Sequence, residues 1–294
     1  MAFAVLSPAM VRSRAFQMVS WSPQRLAVGS PCLFTVEISV LPISVNGKWQ
    51  ERDLTFFPSE NHHVWYALAG IDVAARPGRY TLQLEATLPG GKVIREQRRL
   101  LIARPRFATE ALRVPDQFVE PDAEARVHIA ADEQLKKTAF SHSAPRIEWS
   151  GNFRPPIDSS VSEAFGTRRT FNGKLASIHR GLDYRAAPGS PVVAANSGEV
   201  VLARELFYEG KCVIIDHGQQ FMSIYMHLSQ VDVSEGQKVE KGQEIGLSGA
   251  TGRVTGPHLH TAVRWQGSYL DPAKLWALPL PALQTTAESG VSAR

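Results

Sequence analysis

His179-Arg180-Gly181-Leu182-Asp183 decides how the C-terminal half is read, because a histidine and an aspartate four residues apart share a face on a helix and could grip a metal there. The surroundings exclude a helix. Gly181 sits in the middle, and Pro188-Gly189 follows shortly after. An extended chain also puts His179, Gly181 and Asp183 on one face, but four strand steps span about 13 Å. That is too far for two side chains holding an ion at about 2 Å. The segment is therefore expected to be extended but bent, with the bend near Gly181, which lacks a Cβ.

The flanking sequence is all of one kind. Pro191–Ala195, Gly198–Ala203, Cys212–Asp216, Met222–Leu228, Glu244–Ser248 and His258–Trp265 are short apolar runs separated by Gly-rich turns such as Asp216-His217-Gly218-Gln219. They predict an antiparallel β domain over 146–280. Within it, Thr255-Gly256-Pro257-His258-Leu259-His260 places two imidazoles on one strand face, about 6.6 Å apart at Cα. His179, Asp183 and one member of this pair would form a two-histidine, one-carboxylate set. Such a set suits Zn²⁺ and leaves a fourth position for water. The spare histidine of the pair and His227 are candidates for proton transfer, since an unperturbed imidazole titrates near neutrality. Spacing does not decide which of His258 and His260 is the ligand.

Upstream, the runs Cys32–Val40, Trp65–Leu68, Tyr80–Ala86 and Lys92–Ile102 alternate around turns at Ala75–Gly78 and Pro89–Gly91. They predict a small Ig-like β-sandwich over 20–105 with no catalytic cluster. His62 and His63 read as a solvated loop, because neighbours on a strand point to opposite faces. Between them, 106–145 reads as a linker with one short helix, acidic at Asp122 and basic at Lys136-Lys137. His128 reads as a packing or surface residue and His142 as exposed loop. Residues 281–294 read as a flexible tail, so the fold class expected is all-β in two domains.

A chain of 294 residues with 44% hydrophobic content can bury a core in each domain. A net charge of +4 with scattered basic residues argues against a nucleic-acid partner. Cys32 and Cys212 fall in different expected domains, which disfavours a disulfide, and two cysteines cannot build a thiolate metal site. No run approaches about 18 apolar residues, the length of a transmembrane helix. Met1–Met10 is apolar with no basic residue ahead of it, so no clear signal peptide can be read there.

The blocks His179–Asp183, Tyr225-Met226-His227-Leu228-Ser229 and Thr255–His260 together resemble the signature of the M23 (LytM/lysostaphin-like) zinc metallopeptidases. The resemblance covers about Arg146 to Leu278 and takes in Phe165–Arg169, Ala187–Val192, Asp216-His217-Gly218 and Asp271-Pro272. It implies that His179, Asp183 and His260 bind Zn²⁺, while His227 and His258 act on water or the transition state. His217 matches a turn position and keeps a structural reading. The resemblance further implies an endopeptidase that cuts cross-link or stem peptides of bacterial peptidoglycan in the periplasm or outside the cell, with cell-envelope proteins as further partners. The alternative it leaves is a non-catalytic relative that activates cell-wall amidases. That class lacks one or more ligands, whereas every matched position is filled here.

Overall fold

The computed structural model describes residues 15–142, 144–173 and 175–282, with the side chains of residues 175 and 176 left aside. Met1–Met10 and residues 283–294 of the expected tail lie outside the described residues.

The alternating N-terminal runs form two stacked sheets. One orders the strands Phe16–Ser22, Pro31–Ile38, Val64–Gly70 and Phe57–Pro58. The other orders Leu26–Ala27, Val93–Ala103, Gly78–Thr87, Ser44–Trp49 and Arg52–Thr55. Their inner faces meet at Phe34, Val36, Trp49 and Leu82, all fully buried, with the Phe34 and Trp49 rings edge to face at 5.3 Å. Burying a large apolar side chain contributes roughly 1.5–3 kcal/mol, and these four are part of a larger shared core that opposes the entropy cost of ordering the sheets. His62 is exposed, and His63 bonds the Ile38 carbonyl from its loop.

The C-terminal domain is built on one long antiparallel sheet. Its path runs Val161–Glu163, Gly181–Tyr184, Leu259–Trp265, Phe221–Val231, Gly210–Asp216, Gly198–Leu206 and Lys238–Val239. One face packs Val213, Ile215, Tyr225, Leu259 and Val263 into a core that continues without a break into the N-terminal sandwich. Tyr269 and Asp271 bond back to Asp72 and Gly29 at 2.8 Å each, and Leu270 fills the space beside Gly70. The domains are thus joined through shared apolar burial as well as through the chain. Cys32 and Cys212 are both free and buried.

The segment between the domains has more structure than its sequence pattern suggests. Thr109–Leu112 is a strand that pairs in parallel with Arg168–Phe171, which in turn pairs with Leu175–Ile178. The helix spans Ala123–Ser141, capped by Asp122, whose carboxylate accepts from the Ala125 N–H at 2.8 Å. It runs past the Lys136-Lys137 stop signal because Ala139 and Phe140 dock on the second face of the large sheet, against Leu206, Ile214 and Ile224. Asp132 accepts from the Phe207 N–H at 2.7 Å, and Lys136 meets Glu209 at 2.6 Å, which fixes the helix to the loop after Gly198–Leu206. His142, expected as exposed loop, is held by the buried Asp216 carboxylate at 3.0 Å.

His217 is a core residue. Its Nδ1 donates to the Ser197 carbonyl at 2.7 Å and its Nε2 accepts from Ser223 Oγ at 2.8 Å. Ser223 Oγ accepts in turn from the Tyr225 hydroxyl, which accepts from the Ala195 N–H. Every proton in that chain is used only when His217 is neutral, and burial pushes its pKa down to about 4. In the unfolded chain the same group titrates near 6.5. As pH falls below about 6.5 the unfolded state takes up a proton that the folded state refuses, so stability is lost progressively between about 6.5 and 4. Denaturant unfolding across that window should show about 3 kcal/mol less stability at its acid end from this group. A His217→Gln variant should lose that increment of acid sensitivity, and an unchanged slope would contradict the burial argument.

Candidate metal centre

Asp183 and His260 face each other directly across neighbouring antiparallel strands, since the register pairs Asp183 with His260 and Gly181 with Ala262. His179 reaches the same point from the turn that joins Leu175–Ile178 to Gly181–Tyr184. The turn is pinned on both sides: Gly166 N–H donates to the His179 carbonyl, and His179 N–H to the Thr167 carbonyl, each at 2.8 Å. The bend expected near Gly181 therefore falls at His179-Arg180. Gly181 itself lies on the strand and serves a different purpose. A Cβ there would stand 2.5 Å from His260 Nε2 and closer still to the Thr261 carbonyl oxygen. Only glycine leaves room for the imidazole to lie across the strand.

Three donor atoms converge. His179 Nε2 lies 3.1 Å from Asp183 Oδ1, His260 Nδ1 lies 2.6 Å from the same oxygen, and the two ring nitrogens are 3.0 Å apart. All three residues are buried. His179 Nδ1 faces the Ala164 carbonyl at 3.0 Å, and a carbonyl can only accept, so the Nδ1 proton is committed there. In the neutral ring this leaves the Nε2 lone pair aimed at a carboxylate oxygen and a second imidazole nitrogen. One Nδ1 proton on His260 cannot satisfy both neighbours. A divalent cation at the centre would, and ligands bound tetrahedrally at about 2.05 Å lie about 3.3 Å apart, near the 3.0 and 3.1 Å found for two of the pairs and wider than the 2.6 Å of His260 and Asp183. The donor set therefore fits a metal such as Zn²⁺.

The electrostatics match that use. Asp183 is held well below the usual carboxylate range: burial opposes ionisation, but its hydrogen bonds and charge interactions with His260 and His179 outweigh that cost. Burial lowers the pKa of His260, favouring the neutral ring that ligation requires. The other carboxylate oxygen, Oδ2, accepts from Arg169 Nη2 at 2.6 Å. Arg169 is also bound by Glu163, with Nε to Oε1 at 2.7 Å. Arg169 thus fixes which oxygen of Asp183 faces the centre. Sequence reasoning assigned Arg169 no part in this, because strand pairing and the turn at His179-Arg180, not spacing along the chain, bring Asp183 to it.

His227 and His258 stand beside the triad, their rings 4.8 Å apart. His227 Nδ1 donates to the Thr251 carbonyl at 2.9 Å and His258 Nδ1 to the Gly256 carbonyl at 2.8 Å. Both acceptors belong to one loop, and both rings are left with Nε2 free; that of His258 lies 3.8 Å from Asp183 Oδ1. His227 owes its position to a backbone irregularity. Along Phe221–Val231, Ile224 and Met226 line the groove while Tyr225 is buried in the opposite face. Plain alternation would send His227 after Tyr225. Instead φ at His227 is 64°, the register slips against Lys211–Val213, and the strand changes partner from Leu259–Trp265 to Glu244–Ser248. This bulge turns the imidazole into the groove, where an extra residue is commonly used to re-aim a side chain. Burial, with His258 and His260 nearby, pushes its pKa down to about 3 and keeps it neutral near pH 7.

These five side chains lie along a groove of about 840 Å³. One wall is the helix Ala123–Ser141, through Glu133, Lys136 and Phe140; another is the parallel strand pair, through Leu112, Arg169 and Phe171. The segment expected as a spacer therefore shapes the site. Among the described residues no helix is long and apolar enough to cross a membrane.

Comparison with known proteins bears on the same region. Residues 177–272 match the model of peptidase family M23. Peptidoglycan DD-endopeptidase ShyA of Vibrio cholerae is 47% identical over 124 residues, which is 41% of this chain and 29% of that protein. DD-carboxypeptidase/endopeptidase Mpg of Neisseria meningitidis is 34% identical over 143 residues, 49% of this chain and 33% of that protein. The chain thus spans about a third of the length of the curated relatives it matches. A solved structure of a candidate M23 peptidase from Pseudomonas aeruginosa superposes with a TM-score of 0.65 at 26% identity, over 86% of this chain and 95% of that one. That superposition extends across both domains. The stretch that carries His179, Asp183 and His260 is thus the part of the chain that matches peptidase family M23.

Proposed function

We propose that the chain is a zinc-dependent endopeptidase that hydrolyses cross-link or stem peptides of bacterial peptidoglycan. The observation that carries this reading is the convergence of two imidazole nitrogens and one carboxylate oxygen, flanked by two further imidazoles whose Nδ1 protons are committed to backbone carbonyls. His179, Asp183 and His260 are the proposed ligands. A Zn²⁺ ion held by them supplies Lewis acidity toward a peptide carbonyl and toward water. His227 and His258 present free Nε2 atoms to the same space, where they take the proton from attacking water and return one to the leaving amine. Arg169 holds Asp183 Oδ2 and so keeps Oδ1 turned to the centre. The groove of about 840 Å³ also presents Ile224, Met226 and Phe140, an apolar stretch beside the polar centre that a peptide side chain could cover.

The substrate class follows from the named relatives, ShyA and Mpg. It implies action in the periplasm or at the cell envelope. The full set of five site residues supports a hydrolase over the alternative of a non-catalytic activator of amidases. Purified protein with its metal content measured, incubated with cross-linked peptidoglycan, should release soluble muropeptides. A chelator should stop the release and added Zn²⁺ restore it. Metal-replete protein that releases nothing would overturn the enzymatic reading.

A further inference from the structure

Arg253 lies in the same groove and neither the ligand set nor the proton-handling pair uses it. It sits on the loop ahead of Leu259–Trp265, with its backbone N–H bonded to the Tyr208 carbonyl at 2.9 Å. Its guanidinium carbon lies 4.5 Å from the Tyr208 ring centroid and 4.8 Å from that of Phe171, so the fork is clamped between two aromatic groups. Among the described residues no carboxylate oxygen comes within 4.0 Å of it. The neighbouring cations are committed: Arg169 to Glu163 and Asp183, Lys136 to Glu133 and Glu209. Burial lowers the Arg253 pKa, and the nearby Tyr208 and Glu209 only partly offset that cost. A half-buried guanidinium with no carboxylate in direct contact, Glu209 acting only at a distance, is costly to keep, and its planar fork matches a carboxylate with two parallel hydrogen bonds.

Its position relates it to the chemistry. Arg169 and Phe171 are two residues apart on one strand face, about 6.6 Å along the chain. Arg169 touches Asp183 and Phe171 touches Arg253. The loop of Arg253 also carries the carbonyls of Thr251 and Gly256 that orient His227 and His258. An anion on Arg253 would therefore share one groove with the metal centre, on the side of the Arg169–Phe171 strand.

We propose that Arg253 forms a carboxylate-binding subsite of the groove and makes the protein selective for peptides that carry a free carboxylate beside the scissile bond. The inference rests on the peptidase reading above. Two sources share that chemistry: the terminal carboxylate of a linear peptide, and a carboxylate branching from a residue within a cross-link.

The test compares a linear peptide ending in carboxylate with its carboxamide, and a cross-linked muropeptide with its free carboxylate intact or amidated. Zn²⁺-loaded protein should favour acid over amide by about tenfold or more in kcat/KM in at least one of the two pairs. The pair that shows the preference identifies the source. In Arg253→Gln the acid-to-amide ratio should fall to within about twofold of one, and Arg253→Lys should be intermediate. Equal rates on acid and amide with the unaltered protein would overturn the proposal whether or not the variants fold, as would a preference that survives Arg253→Gln. Should the loaded protein cut no peptide, the peptidase reading fails, and the subsite is then decided by calorimetry. Tighter binding of acid than amide, lost in Arg253→Gln, supports it; equal Kd values overturn it.

Discussion

Gly181→Ala should cost the protein its metal and a large part of its stability, although the change adds one methyl group. The new Cβ would stand 2.5 Å from His260 Nε2 and nearer to the Thr261 carbonyl oxygen. Neither neighbour can yield easily. Thr261 is fully buried and its strand is paired on both sides, with Gly181–Tyr184 and with Phe221–Val231. The His260 ring is confined by Asp183 and His179. Overpacking of this kind costs about 3 kcal/mol. Displacing a ligand ring lowers metal affinity by about 100-fold, comparable with the loss of its supporting partners. Gly256→Ala is the control, because a Cβ there meets nothing within 4 Å and its backbone is not left-handed. Its melting temperature and metal content should match the unaltered protein. Gly181→Ala protein with full, tight metal occupancy and an unchanged melting temperature would show that the His260 ring has room the structure does not display.

His260→Ala, His258→Ala and His227→Ala should separate into two classes. His260 Nδ1 lies 2.6 Å from Asp183 Oδ1, within the donor cluster, whereas His258 reaches that oxygen only at 3.8 Å and spends its Nδ1 on a carbonyl. Removing His260 should therefore empty the centre and abolish turnover. Removing His258 or His227 should leave metal stoichiometry intact and lower kcat by about 10²–10⁴-fold, the usual contribution of a positioned acid or base. Metal analysis beside single-turnover rates reads both quantities. Equal metal loss in His258→Ala and His260→Ala would refute the division of labour, and full activity in His227→Ala would remove that residue from the reaction.

Much of the β architecture was legible because short apolar runs punctuated by glycine have no other way to be buried. The strands Gly198–Leu206, Gly210–Asp216, Phe221–Val231 and Leu259–Trp265 fall where alternation and turn residues predict them. The segment from 106 to 145 was harder to read. Thr109–Leu112 gains its strand from pairing with Arg168–Phe171, and the helix gains its last turn from docking on the sheet. Neither partner is local, so no nearby residue announces them.

At the site, the residue types and their spacing determined by themselves that His179, Asp183, His227, His258 and His260 were candidates for one metal-dependent chemistry. They also required that His179–Asp183 be bent, since a straight strand is too long for one ion. Which atoms meet was decided only in three dimensions. The cross-strand register sets Asp183 against His260, a bulge swings His227 away from Tyr225, and Gly181 leaves space for a ring that arrives from 79 residues downstream. In the sequence Arg169 stands only within the block Phe165–Arg169 with no role of its own, and Arg253 is not singled out, for the same reason. An arginine takes its role from the carboxylate or ring beside it, and here Asp183, Phe171 and Tyr208 are brought to those arginines by pairing between strands and loops that are distant in the chain.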